Sequence, residues 1–250
     1  MSTSTANNTQ APHKAGAAIA DKTVRHHQQL KLTIFAATGG VGRQLLEQAV
    51  AAGHDVTAVA RNPGKLTRHV PTVTADLATT NPAALEPAVA GADAVLSGLG
   101  PHSNAAAGIA APGTRSIVAA MQATGVKRIV VVSAAPVGTV TSSANPHPPK
   151  HDPGDGFFTR YLLSRIAQTA FGKVYDDLAA MEAILRDSRL DWTAIRPPRL
   201  TDKPLSGSYR TALGQNLRGG LFVPRADVAH LMLKVLEQPH TIGHTIGIAT

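Results

Sequence analysis

The stretch Leu32-Thr-Ile-Phe-Ala-Ala-Thr-Gly-Gly-Val-Gly-Arg-Gln-Leu-Leu46 decides how the rest of the chain is read. The apolar, β-leaning run at residues 32–36 reads as a buried strand. A turn, Thr38-Gly39-Gly40-Val41-Gly42, follows, and Val41, Leu45, Leu46, Ala49 and Val50 then recur at helical spacing. Strand, glycine turn and helix in that order are the context in which a glycine pattern becomes a dinucleotide site. Glycine lets the backbone approach a diphosphate, and the free N–H groups at the helix start bind its charge. An ordinary tight turn would use the same glycines, but the context favours the nucleotide.

Working outward, Gly53 closes the helix and residues 54–60 read as a second strand, ending in Arg61-Asn-Pro-Gly-Lys65. Chains that prefer NAD usually carry an acidic residue about 20 positions beyond the glycine turn, where it holds the ribose 2′-hydroxyl. Here that position is Arg61, with Lys65 nearby and no carboxylate. A planar guanidinium suits a 2′-phosphate by charge and by geometry, so NADP(H) is the expected cofactor.

Further strands are expected at residues 70–75, leading to Asp76 and Leu77, at 92–97, leading to Gly98-Leu99-Gly100, and at 127–132, leading to Ser133. Asn81-Pro82 starts a short helix, and residues 112–123 form a longer one closed by Gly125. Strands alternating with helices over short links predict an α/β fold with a Rossmann-type, doubly wound parallel sheet in a single domain at residues 30–250. Ligands gather at the carboxyl ends of such strands, where Thr38, Arg61, Asp76, Gly98 and Ser133 all fall.

Residues 137–156, rich in proline, glycine and polar side chains, are too long for a bare connector. They read as a flap over the substrate or as a plain insertion. Residues 157–186 are helical in pattern, as two pieces joined near Gly172. A strand at 191–195 ends at Pro197-Pro198, and residues 199–224 read as an irregular, substrate-side segment. A helix at 228–236, capped by Asp227 or a neighbour, precedes a last edge strand at 245–249.

The 250 residues carry a net charge of +8 with no cysteine. Disulfides, thiolate catalysis and cysteine-ligated metal are thereby excluded. The basic residues are dispersed and no aromatics interleave with them, so the charge reads as solvated surface plus a phosphate site rather than a nucleic-acid surface. No apolar run has membrane length. Residues 1–29 are polar and aperiodic and lack the core of a secretory signal, so they read as a disordered tail on a cytoplasmic protein. Histidines are scattered and form no metal-ligand pair; His102, just after Gly100, is the one expected near a substrate. Trp192 reads as core, and Asp176, Asp177 and Glu182 as a solvated helix face.

Three separated motifs resemble the atypical short-chain dehydrogenase/reductase family, and within it the flavin reductase and biliverdin-IXβ reductase type. They are Ala36-Ala-Thr-Gly-Gly-Val-Gly42, the run from Leu190 through Trp192 and Pro197-Pro198 to Ser206-Gly-Ser-Tyr209, and Arg225-Ala-Asp-Val-Ala-His230. The resemblance implies that Thr38, Gly39, Gly40, Val41 and Gly42 hold the diphosphate and Arg61 the 2′-phosphate. By the same resemblance Asp76 and Leu77 line the adenine, and Gly98, Leu99 and Gly100 border the nicotinamide ribose. Ser133 would sit by the nicotinamide, with Pro197 and Pro198 as the pocket wall. Two departures stand out. The family's first glycine is Ala36, and Arg199 stands where related reductases often have a histidine.

The wider superfamily's Tyr-x-x-x-Lys acid is absent. Tyr161 and Arg165 keep its spacing with arginine in place of lysine, an arrangement that could stabilise a phenolate or simply be helix surface. Candidate catalytic residues are therefore Ser133, Arg199 and Tyr161. Alcohol–ketone chemistry needs an acid aimed at the carbonyl oxygen, whereas flavin, bilin or quinone acceptors can take their proton from solvent. An NADPH-dependent reductase of a planar acceptor is the expected function. The alternative is an NADP(H)-sensing regulator of the NmrA-like type that binds without turnover. Neither metal, membrane nor nucleic acid is expected as a partner, and the chain is expected to be a monomer or dimer.

Overall fold

The computed structural model of the chain describes residues 1, 28–101, 103–141, 145–154 and 164–250, with backbone alone for 164–170. The strands are β1 (Lys31–Phe35), β2 (Asp55–Ala60), β3 (Thr72–Thr74), β4 (Ala94–Ser97), β5 (Arg128–Val132), β6 (Asp191–Arg196), β7 (Arg199–Thr201), β8 (Arg210–Leu213), β9 (Phe222–Pro224) and β10 (His244–Ala249). Eight of them form one sheet in the order β3-β2-β1-β4-β5-β6-β10-β8, while β7 and β9 make a separate pair. Every pairing in the large sheet is parallel except β10 with β8, where Ile246 faces Leu213. The strand order reverses beside β1, between β2 and β4, and that reversal opens a crevice at the strands' carboxyl ends.

Central strands are apolar without alternation, as in Ile129-Val130-Val131-Val132, because both faces of the sheet are covered. On one face lie α1 (Gly40–Ala51) and, later in the chain, α5 (Arg225–Lys234), whose Leu45, Leu46, Val228 and Met232 bury against Ile34, Leu96 and Val130. The other face carries α2 (Glu86–Val89), α3 (Ala110–Thr124) and α4 (Ser164–Asp187), with Ile117, Met121, Met181 and Leu185 against Phe35, Val95, Ile129 and Trp192. Truncating one of these fully buried side chains to alanine is expected to cost about 2–5 kcal/mol.

At the amino ends of β5 and β6, the Arg128 guanidinium donates to the carbonyls of Asp191 and Val235 at 2.8 and 3.0 Å and to Thr193 Oγ1 at 2.8 Å. Burial lowers its pKa to about 10. One of the chain's basic residues is thus a structural rivet, far from the carboxyl-end crevice.

Several expectations are corrected. The last strand, β10, is interior, flanked by β6 and β8, and the edge is the antiparallel β8. The segment 199–224 is not wholly irregular, since it holds β7, β8 and β9. Helix α5 begins at Arg225 with Pro224 as its N-cap, and no side chain caps it. The join between two helical pieces expected near Gly172 needs no correction: α4 kinks at Phe171 (φ −133°, ψ 22°). Among the described residues, no helix is long and apolar enough to cross a membrane.

Candidate functional site

The glycine turn is built by close backbone approaches. Ala36 takes φ 56°, a left-handed conformation that costs a residue with a Cβ about 1–2 kcal/mol. Its carbonyl accepts the Gly39 N–H at 2.8 Å. A Cβ on Gly42 would lie 2.1 Å from that same carbonyl oxygen, and one on Gly98 would lie 2.6 Å from Gly42 N. Only two bare α-carbons let the start of α1 nest between the ends of β1 and β4. Thr38 to Gly42 and Gly98, far apart in sequence, therefore line one crevice.

The start of α1 is chemically open. Gly39 is the N-cap and offers no side-chain hydrogen bond, and the first turn contains no acidic residue. Unsatisfied N–H groups and the positive end of the helix dipole there suit an anion. Arg61 is exposed directly after β2, and Asp76 is exposed after β3, with Oδ1 accepting the Ala78 N–H at 3.2 Å. Leu77 and Leu99 differ from the rest. Their side chains are buried in the core, against the α-carbon of Gly113 on α3, so only their backbone can face a ligand. A Cβ on Gly100 would meet nothing within 4 Å.

Ser133, at the end of β5, is buried, and its hydroxyl donates to Glu182 Oε1 at 2.7 Å. Glu182 belongs to α4 and is 1% exposed. Its carboxylate also takes a two-pronged contact from Arg196 at the end of β6, Nε to Oε1 at 2.9 Å and Nη2 to Oε2 at 2.6 Å. Bidentate charge-assisted bonds hold such a buried pair together, and removing one partner typically costs about 3–5 kcal/mol. Of the helix face expected to be solvated, Asp176 is exposed, but Glu182 is not. Asp177, a turn and a half earlier, is also buried, and its carboxylate accepts from the backbone N–H groups of Gly108, Ile109, Ala110 and Ala111 at 2.8–3.0 Å.

Beside the Glu182–Arg196 pair is a cavity of about 220 Å³, lined among others by Val137, Gly138, Asp152, Ala179 and Arg186. The described part of the 137–156 segment contributes Asn145, Pro149 and Pro153 to the lining as well. Asp152 Oδ1 accepts from Gly154 N and Asn216 N, both at 2.8 Å, which docks the segment on the loop after β8.

The two C-terminal motifs meet as a clasp. Asp227, fully buried, accepts from Ser206 N (2.9 Å), Ser206 Oγ (2.6 Å) and Gly207 N (3.0 Å). Tyr209 OH and His230 Nδ1 are 2.6 Å apart, and burial, with the nearby Asp227 charge, pushes the Tyr209 phenol up to about 12. Pro197 is buried and its carbonyl accepts the Ala135 N–H at 2.9 Å, while Arg199 is exposed on β7. Tyr161 and His102 lie outside the described residues. The sequence reading named Glu182 only as solvated helix face and Arg225 only as part of a motif, because the partners that place them are distant in sequence.

A family model described as NAD(P)H-binding matches residues 36–239. Among solved structures, the chain resembles the anaerobillin reductase ChuY of Escherichia coli O157:H7, with 24% identity, TM-score 0.67, 88% of this chain and 96% of that one covered. A candidate NADH-flavin reductase of Streptococcus pneumoniae TIGR4 gives 23% identity, TM-score 0.65, and 88% and 99% coverage. A short-chain dehydrogenase/reductase of Veillonella parvula DSM 2008 in complex with NADP gives 18% identity, TM-score 0.69, and 89% and 95% coverage.

Proposed function

Because the chain belongs to the NAD(P)H-binding family, we propose that it is an NADPH-dependent reductase passing hydride to a planar, conjugated acceptor of the flavin, bilin or quinone type. The observation that carries this reading is the open start of α1, uncapped and free of carboxylates, wedged against Gly98. Its amides would hold the dinucleotide's diphosphate, and Arg61 would select the 2′-phosphate. Gly98 and Gly100 would border the nicotinamide ribose, with Pro197 as a wall. When bound, the nicotinamide supplies the hydride.

Ser133 gives its hydrogen to Glu182. It would therefore accept a hydrogen bond at the nicotinamide rather than protonate the substrate. Acceptors that draw their proton from solvent fit this arrangement, since they ask of the protein mainly placement and a shaped cavity. The flavin and anaerobillin reductases among the structural neighbours point the same way.

The test is NADPH oxidation with a panel of FMN, biliverdin and menadione. Acceptor-dependent oxidation is expected with at least one, falling about 30-fold or more in Arg61→Glu at limiting NADPH. The Ser133–Glu182 bond also favours a second reading, a sensor that binds NADP(H) without turnover. Saturable binding with no oxidation by any acceptor would decide for it, and a protein that binds no dinucleotide would contradict both.

A further inference from the structure

Gly40, the first residue of α1, owes its lack of a side chain to Arg225. A Cβ there would meet Arg225 Nε at 2.6 Å and Cδ at 2.7 Å, with Cζ at 3.6 Å as the third-nearest atom. Outside its chain neighbours and the backbone of its own helix, any other atom is at 3.6 Å or beyond, an ordinary van der Waals contact. The φ of Gly40 is not in the left-handed region, so neither backbone conformation nor another close atom demands glycine. Arg225 opens α5, which packs along α1, and its side chain leans from one helix start across the other. One guanidinium nitrogen, Nη1, donates to Asp202 Oδ1 at 2.6 Å. That aspartate is 84% exposed and Arg225 29%, so the pair is a weak, solvent-screened tether that steers the arm.

We propose that Arg225 is a binding residue for the diphosphate of the dinucleotide, adding a cation to the amides of α1, and that Gly40 is glycine in order to seat it. This rests on the start of α1 being the dinucleotide site. A guanidinium has five donors in a planar fork, and with one nitrogen turned to Asp202 the remainder can meet phosphate oxygens. The contact is to a group that NADH and NADPH share. Arg225 therefore sets affinity for both, while the choice between them lies elsewhere.

The experiment is a fluorescence titration of the full chain with NADPH and with NADH, for wild type, Arg225→Ala, Arg225→Lys, Gly40→Ala and the Gly40→Ala/Arg225→Ala double variant. Arg225→Ala is expected to weaken both coenzymes by a similar factor of about 10–100. Arg225→Lys should weaken them less, since it keeps the charge but loses the fork. Gly40→Ala should weaken binding about tenfold in wild type and under about twofold once Arg225 is gone, because the obstructing atoms are then absent. Circular dichroism confirms that each variant is folded. Binding by Arg225→Ala within twofold of wild type overturns the proposal and leaves the site itself standing. So does an equal Gly40→Ala penalty in both backgrounds, which would make Gly40 a phosphate-contact glycine only. A wild-type protein that binds neither coenzyme overturns the proposal together with the site beneath it.

Discussion

Two helices start at the same end of the sheet, and they are finished differently. The first amides of α3 are closed by the protein's own anion, since Asp177 reaches across from α4 to take the N–H groups of residues 108–111. The first amides of α1 receive no such group: the N-cap is Gly39 and the first turn carries no carboxylate. Both ends have the same orphan donors and the same dipole. Folding satisfies one of them internally and leaves the other open, and in our proposal the open one takes an anion from solution. A buried carboxylate stabilises the one helix start, and the other carries the proposed site.

The comparison can be broken from either side. Asp177→Ala uncaps α3 and strands buried donors, so unfolding free energy should fall by about 3–5 kcal/mol in urea titrations, the largest effect expected here. A loss under about 1 kcal/mol would mean that water replaces the carboxylate. Conversely, Gly39→Asp gives α1 its own anion. Gly39 already has an extended conformation (φ −77°, ψ 173°) that any residue adopts, and a Cβ there would lie 3.2 Å from the Ala36 carbonyl oxygen, a tight but tolerable contact. NADPH affinity should drop about 100-fold by occupation and repulsion, while stability changes by only a few tenths of a kcal/mol, as for other N-cap exchanges with glycine.

Ala36→Gly sharpens the comparison most gently. It relieves the left-handed backbone that aims the turn at α1 and is expected to raise stability by up to about 1 kcal/mol, part of the gain being lost to a more flexible unfolded chain. A thermal melt that moves down instead would show that the Ala36 methyl packs usefully.

The alternation of strands and helices was legible in the sequence because it is written locally, in runs such as Ile129 to Val132 and in the αL glycine that ends α3, Gly125 (φ 78°). The clustering of Thr38–Gly42 with Gly98 was legible for the same reason, as each follows directly from the end of a strand. What the sequence hid depends on partners far along the chain. Asp177 and Glu182 have the spacing of an ordinary polar helix face, and only the arrival of residues 108–111 and of Arg196 makes them interior. The interior place of β10 depends on β8, which the irregular composition of 199–224 concealed. Leu77 and Leu99 follow strand ends as ligand-lining residues would, yet Gly113 opens a socket in α3 that draws their side chains into the core. Arg225 sat in a recognisable motif, but its reach over Gly40 comes from the packing of α5 on α1.

In the proposed site the start of α1 would hold a dinucleotide diphosphate, and Arg61, exposed after β2, would read the 2′-phosphate. Parallel calorimetric titrations of the wild-type protein with NADPH and NADH test this most directly. One dinucleotide per chain, with NADPH bound about tenfold or more tightly than NADH, is the predicted result. Equal affinity for the two would contradict the role of Arg61, and no saturable binding of either would contradict the site itself.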